Sequence, residues 1–173
     1  MNKLAWFERQ FTFGLPAGML PFYLERLSGT AIRIAHKVKG IAEDILSEKV
    51  DGKWSVKQNI GHLAEVDEIA LQRIDQMLQG IPIMLPAVFE PKDYSVLPVR
   101  EVLQYFEESR KKNLIQYKSL KDEDLLKASL HPRLKLQMTP VDLAYFDAEH
   151  DDHHLVAIHE ILEAKNVEHL KYI

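Results

Sequence analysis

Apolar residues recur at helical spacing in four long stretches of the chain, and no stretch keeps the strict alternation of a half-buried strand. The first stretch predicts a helix from about Pro21 to Lys39, with Leu24, Leu27, Ala31, Ala35 and Val38 on one stripe and Gly40 placed as its stop. A short acidic segment of less regular pattern follows as far as Gly52. The second helix is predicted to begin at Ser55, where Ser55 and Gln58 match the S-x-x-Q capping box that pairs two otherwise orphan backbone donors. Its stripe includes Val56, Ile60, Leu63, Val66, Ala70, Ile74 and Met77, and it stops at Gly80, closely followed by Pro82.

Residues 81–97 hold three prolines and no helical period. They read as an irregular crossover rather than a domain linker, because Ile81, Ile83, Leu85, Val88 and Phe89 still need burial. The third helix is predicted from about Pro98 to Leu120, with Val102, Phe106, Leu114 and Tyr117 facing inward. After another irregular stretch, 121–138, comes the clearest helix start in the chain: Thr139 as N-cap, Pro140 at the first helical position and Asp142 at the third. The fourth helix follows from Val141 to about Ala164. The predicted class is all-α, a four-helix bundle with long crossover loops and a short N-terminal helical segment, in one domain over residues 1–173. The long connections leave the order of the helices in the bundle open.

Composition narrows the function. A hydrophobic content of 46% in 173 residues is enough for a full core, so any metal serves function rather than folding. The 22 Lys+Arg against 26 Asp+Glu give a formal net charge of -4, the wrong sign for a sequence-independent grip on nucleic acid. Arg110, Lys111 and Lys112 are the compact basic run, read as a solvated helix face. The absence of cysteine excludes disulfides, zinc-thiolate sites and a cysteine nucleophile on this chain. Met1 to Phe13 carries charges and lacks an unbroken apolar run, so neither a signal peptide nor a membrane span is expected there, and the expected setting is cytoplasmic. Its aromatics Trp6, Phe7, Phe11 and Phe13 read as packing that caps the bundle, or as a dimer or partner surface.

Eight histidines predict roughly 0.5 in any ten-residue window, yet His150, His153, His154 and His159 fall within one such window. Projected on a helix with His150 at zero, His154 lies at about 40° and His153 at about 300°, while Leu143, Phe146, Ala157 and Ile161 all lie within about 40° of zero. His159, on the opposite side, is expected to face solvent or a partner. Imidazoles on an apolar stripe are costly unless their nitrogens are paired, and a shared ion removes that cost while holding the i and i+4 rings together. His153 is better read as a pocket-wall residue. A third ligand should come from a facing helix, and His62 is the best placed, although a lone inward histidine is also a common hydrogen-bonded core residue. His36 and His169 read as surface residues, and His131, before Pro132, either makes a turn or lines the site.

The run from Trp54-Ser55-Val56 through Gly61-His62-Leu63-Ala64-Glu65, followed by His131-Pro132 and by Ala148-Glu149-His150-Asp151-Asp152-His153-His154-Leu155, resembles the DinB-like family of four-helix metalloproteins. In that family a histidine follows a W-S-x helix start and an H-x-x-H-H element lies on the last helix. The resemblance covers roughly residues 20 to 163 and implies that His62, His150 and His154 are metal ligands. It further implies a bundle with an open coordination position, frequent dimerisation, and zinc, nickel or a similar ion. Some branches resemble thiol S-transferases that use bacillithiol or mycothiol, whereas many others have no established activity.

Three neutral imidazoles leave the ion its full charge and an exchangeable position, the pattern of a catalytic site. A bound thiol or water would then lose its proton and attack a small-molecule substrate, with a low-molecular-weight thiol as one candidate nucleophile. Asp147, one turn before His150, and Glu65, one turn after His62, are candidates to orient the imidazoles or act as base, or else are ordinary solvated acids. Imidazole suits zinc, nickel, copper and iron alike, so ligand type does not choose the ion; the resemblance puts zinc or nickel first, with iron or manganese next. The expected function is therefore a metal-dependent enzyme of the thiol-transferase or hydrolase type, expected as a homodimer. The competing reading is a non-catalytic metal-binding or stress-related bundle that acts through assembly or partner binding.

Overall fold

The computed structural model describes residues 3–50, 52–90 and 92–165, so the expectation for His169 lies outside the described residues. Among the described residues there are five α-helices: α1 (Leu20–Val38), α2 (Glu43–Ser47), α3 (Val56–Leu78), α4 (Val99–Ser119) and α5 (Pro140–Ala164). The four long ones fall where the hydrophobic period placed them. Their starts follow the predicted chemistry. The Ser55 hydroxyl accepts from Gln58 N–H while Gln58 reaches back to Ser55 N–H, and Thr139 and Asp142 make the same reciprocal box on α5. Gly40 and Gly80 end α1 and α3 in the left-handed region, at φ 74° and 71°.

The packing settles the helix order. α1 packs against α4 and α5, and α3 packs against the same two, so α1 and α3 are diagonal. The core has two halves. One gathers Ile34 and Val38 of α1, Val56 to Ala64 of α3, Phe106 of α4 and Ile158 to Leu162 of α5. The other gathers Leu20 to Leu27, Ala70 to Met77, Tyr117 and Val141 to Ala148. Hence α1 and α5 run one way, α3 and α4 the other. Because α3 and α4 are parallel, the connection between them must return over the length of α3, roughly 34 Å at 1.5 Å per residue. This explains an extended, proline-bearing crossover where a tight turn would otherwise serve.

Three expectations need correction. The acidic segment after α1 contains the helix α2, which buries Leu46. The apolar residues of the crossover are mostly not buried: Ile83, Leu85, Val88 and Phe89 are exposed, Ile81 is half-buried, and Met84 and Tyr94 are the residues that enter the core. Arg110 is not on a solvated face. It lies between the two core halves, where Nε donates to Asp67 and Nη1 and Nη2 to Asp151, with a further bond from Nη1 to the Leu27 carbonyl. Asn113 and Thr30 complete this layer, donating to Asp67 and Asp151. Burial alone would lower the Arg110 pKa, but the carboxylates of Asp151 and Asp67 outweigh it and hold the guanidinium charged.

Between α4 and α5, Ser129–Leu130 pairs antiparallel with Gln137–Met138 as a small hairpin, β1 and β2. Before α1, the chain makes short 3-10 turns at Trp6–Glu8 and Ala17–Met19. Trp6, Phe11 and Phe13 pack on Phe146 of α5, whereas Phe7 is exposed beneath the guanidinium of Arg133. Arg9 pairs with Glu149, tying this segment to α5.

Candidate metal centre

α3 and α5 run antiparallel and in contact, which brings His62 of the first turns of α3 beside His150 and His154 of α5. One nitrogen from each ring lies within 4.8 Å of the other two. His150 and His154 are buried and His62 half-buried. Burial drives the pKa of His150 and His154 well below the ordinary 6.5, and the neighbouring histidines drive it further. His62 is also lowered by burial, with Glu65 pulling the other way. The three rings are therefore neutral, as ligands must be.

The nitrogens fit an ion. His154 Nδ1 lies 2.7 Å from Asn59 Oδ1. Asn59 Nδ2 donates to the Ser55 carbonyl at 2.8 Å, so the amide oxygen is the atom facing the ring. An amide oxygen only accepts, hence His154 Nδ1 carries the proton and Nε2 presents a lone pair. That lone pair faces His150 Nε2 across 3.2 Å. Two imidazole nitrogens on one tetrahedral zinc-like ion would stand about 3.3 Å apart. His62 turns Nδ1 toward Glu65 Oε2 at 3.5 Å, which leaves Nε2 for coordination.

Of the other expected residues, Glu65 faces His62 and also accepts from Tyr94 OH at 2.7 Å. Asp147 is buried, but it makes no hydrogen bond to an imidazole. Its electrostatic partner is Arg73, and its Oδ2 has no hydrogen-bond partner. His153 is half-buried beside Trp6 and His154. His131 fills both of its readings: Nδ1 accepts from the N–H groups of Arg133 and Leu134, and the ring lines the same cavity as the triad. His159 is half-buried with Nε2 3.3 Å from Glu163, and His36 is exposed.

Three residues that meet the triad were not among the expected site residues. Asn59 lies on the triad's face of α3, and an asparagine inside an apolar helical stripe is itself a signal of a required hydrogen bond. Trp54 stacks over His154 and stands edge-on to His62, with centroids at 5.9 and 4.7 Å. Phe89 of the crossover packs on His62 at 4.9 Å. The triad forms part of the wall of a cavity of about 730 Å3 between α3, α5, the crossover and the N-terminal segment.

Comparisons with known proteins agree with this architecture. The fold matches YfiT of Bacillus subtilis, described as a probable metal-dependent hydrolase with an unusual four-helix bundle topology, at a TM-score of 0.79 and 18% identity over 91% of this chain and 94% of that one. Structures of proteins from Streptococcus pneumoniae and Clostridium difficile 630 each match at a TM-score of 0.63 and 12% identity over 84% of this chain, covering 90% and 95% of theirs. Comparison with curated protein sequences gave no match. The model of the DinB superfamily matches residues 24–158, and the chain belongs to that superfamily.

Proposed function

We propose that this chain is a cytoplasmic, divalent-metal-dependent enzyme of the thiol-transferase or hydrolase type. His62, His150 and His154 would hold the ion, zinc or nickel first and iron or manganese next. The observation that carries this reading is the pair of facing Nε2 atoms 3.2 Å apart, one with its tautomer set by Asn59, on the wall of an open cavity. When bound, such an ion lowers the pKa of a thiol or water at its open position. The chain's own residues do the rest. Glu65 orients His62 and is the closest carboxylate to accept a proton, while Trp54, Phe89 and Trp6 exclude water from the rings they cover. The hydrolase description of YfiT supports the metal-dependent part of the reading.

The test is elemental analysis of the purified protein and of His150→Ala, together with turnover on thiol-transfer and hydrolytic substrates. One ion per chain in the wild type, lost with activity in the variant, is expected. Full metal occupancy in His150→Ala would sink the ligand assignment. The non-catalytic reading draws support from the exposed Ile83, Leu85 and Val88, an apolar strip suited to a second copy of the chain. Dimerisation that depends on the metal, with no turnover in either class, would favour it.

A further inference from the structure

The cavity continues past the triad to a second polar place. His62, Val66, Ile69 and Arg73 follow one another on α3 at spacings of four, three and four, and all line it. Arg73 is thus on the face of His62, three turns and roughly 16 Å further along the axis. It is only 8% exposed, and its Nε is buried without a hydrogen-bond partner. Among the described residues nothing makes an ion pair or hydrogen bond with this guanidinium. Asp147, one turn before His150, is the main counter-charge acting on it. Yet no hydrogen bond or ion pair joins the two groups, and Asp147 Oδ2 is equally unpartnered. Arg133 of the hairpin lines the same cavity, and Arg73 and Arg133 both act on His131 as like charges.

A buried guanidinium with idle donors is costly unless an anion completes it. The cavity wall between it and the triad is largely apolar, with Val66, Ile69 and Phe146 among its residues. We propose that Arg73 is the carboxylate-binding end of the cavity, so that the substrate is a small, largely apolar acid gripped there while its reacting end reaches the three histidines. The planar fork suits a carboxylate. The inference rests on the proposed enzyme function only for what happens at the histidine end.

Phenylacetate and its neutral isostere phenylacetamide serve as probes, titrated calorimetrically into the metal-free and then the zinc-loaded full-length protein. The metal-free wild type is expected to prefer phenylacetate by roughly tenfold or more, as a charge-assisted bond implies. Arg73→Gln should remove that preference and Arg73→Lys, a cation without the fork, should keep a smaller part of it. No preference in the wild type, or an unchanged preference in Arg73→Gln, overturns the proposal. Circular dichroism checks that each variant folds. If Arg73→Gln does not, Arg73→Lys decides, and an undiminished preference there overturns the proposal in the same way. Zinc content is read separately. Carboxylate binding through Arg73 in a protein that takes no zinc keeps the subsite and rejects the enzyme reading; full zinc occupancy with no carboxylate preference does the reverse.

Discussion

The His154 Nδ1–H donates to Asn59 Oδ1 across 2.7 Å, and the same amide donates back to the carbonyl of Ser55, the residue that caps α3. A helix cap, an amide and an imidazole tautomer are thus linked in series, and the lone pair offered at Nε2 depends on all three. Replacing Asn59 by Ala leaves every proposed ligand in place but frees the ring. Metal affinity should fall roughly 10–100-fold, read by competition with a chromophoric chelator, while the circular dichroism spectrum stays helical. Unchanged affinity would show that the tautomer is set elsewhere.

Gly61, next to His62, allows the ring of Tyr94 to lie against α3. A Cβ at this position would fall 2.3 Å from Tyr94 Cζ, so Gly61→Ala must displace the ring. Tyr94 is also the donor to Glu65, which faces His62. Overpacking should cost about 1–3 kcal/mol in urea unfolding. The double variant Gly61→Ala with Tyr94→Ala should be more stable than the sum of the two single effects predicts, and a strictly additive loss would argue that the ring is not the obstacle.

Arg110 is the single cation between two buried carboxylates. Arg110→Ala strands Asp67 and Asp151 facing one another and should cost about 3–5 kcal/mol. Arg110→Lys should rescue little, because one ammonium does not reproduce the bonds to Asp67, Asp151 and the Leu27 carbonyl. A wild-type midpoint for Arg110→Lys in chemical denaturation would refute this account of the layer.

Burial, with Arg73 and Arg133 nearby, takes His131 from its ordinary 6.5 down to about 4. Between those limits the unfolded chain binds a proton that the folded chain refuses. The contribution to stability is therefore intact above pH 6.5 and is lost as the pH falls toward 4. His131→Asn keeps an acceptor for the two turn N–H groups but does not titrate. The drop in Tm between about pH 7 and about pH 5 should be smaller in this variant than in the wild type. It should not vanish, since the three metal-site histidines are lowered by burial in the same direction.

The features legible in the sequence are those with local causes. Capping boxes at Ser55 and Thr139, glycine stops at Gly40 and Gly80, and the i, i+4 histidines all declare themselves within a turn or two. Arg110 misled because three consecutive residues on a helix span about 200° of its circumference and cannot share one face, and its partners are 43 and 41 residues distant. Asn59 meets His154 across 95 residues of sequence, a pairing that no helical projection contains. The exposed Ile83, Leu85 and Val88 were expected to be buried on hydrophobicity alone. The parallel course of α3 and α4 requires a chain that crosses the outside of the bundle, and that requirement is topological rather than compositional.

Asp142 sits where two parts of the molecule meet. One of its oxygens accepts the Thr139 N–H and hydroxyl that start α5, and the other accepts the N–H groups of Gly14 and Leu15 from the segment carrying Trp6. Trp6 in turn covers His150 and His153. Asp142→Ala should therefore speed deuterium exchange at Gly14, Leu15 and Thr139 together, since all three amides lose the same acceptor group. The segment that covers His150 is in this way anchored to the first turn of α5, at the far end of the helix from Ala164.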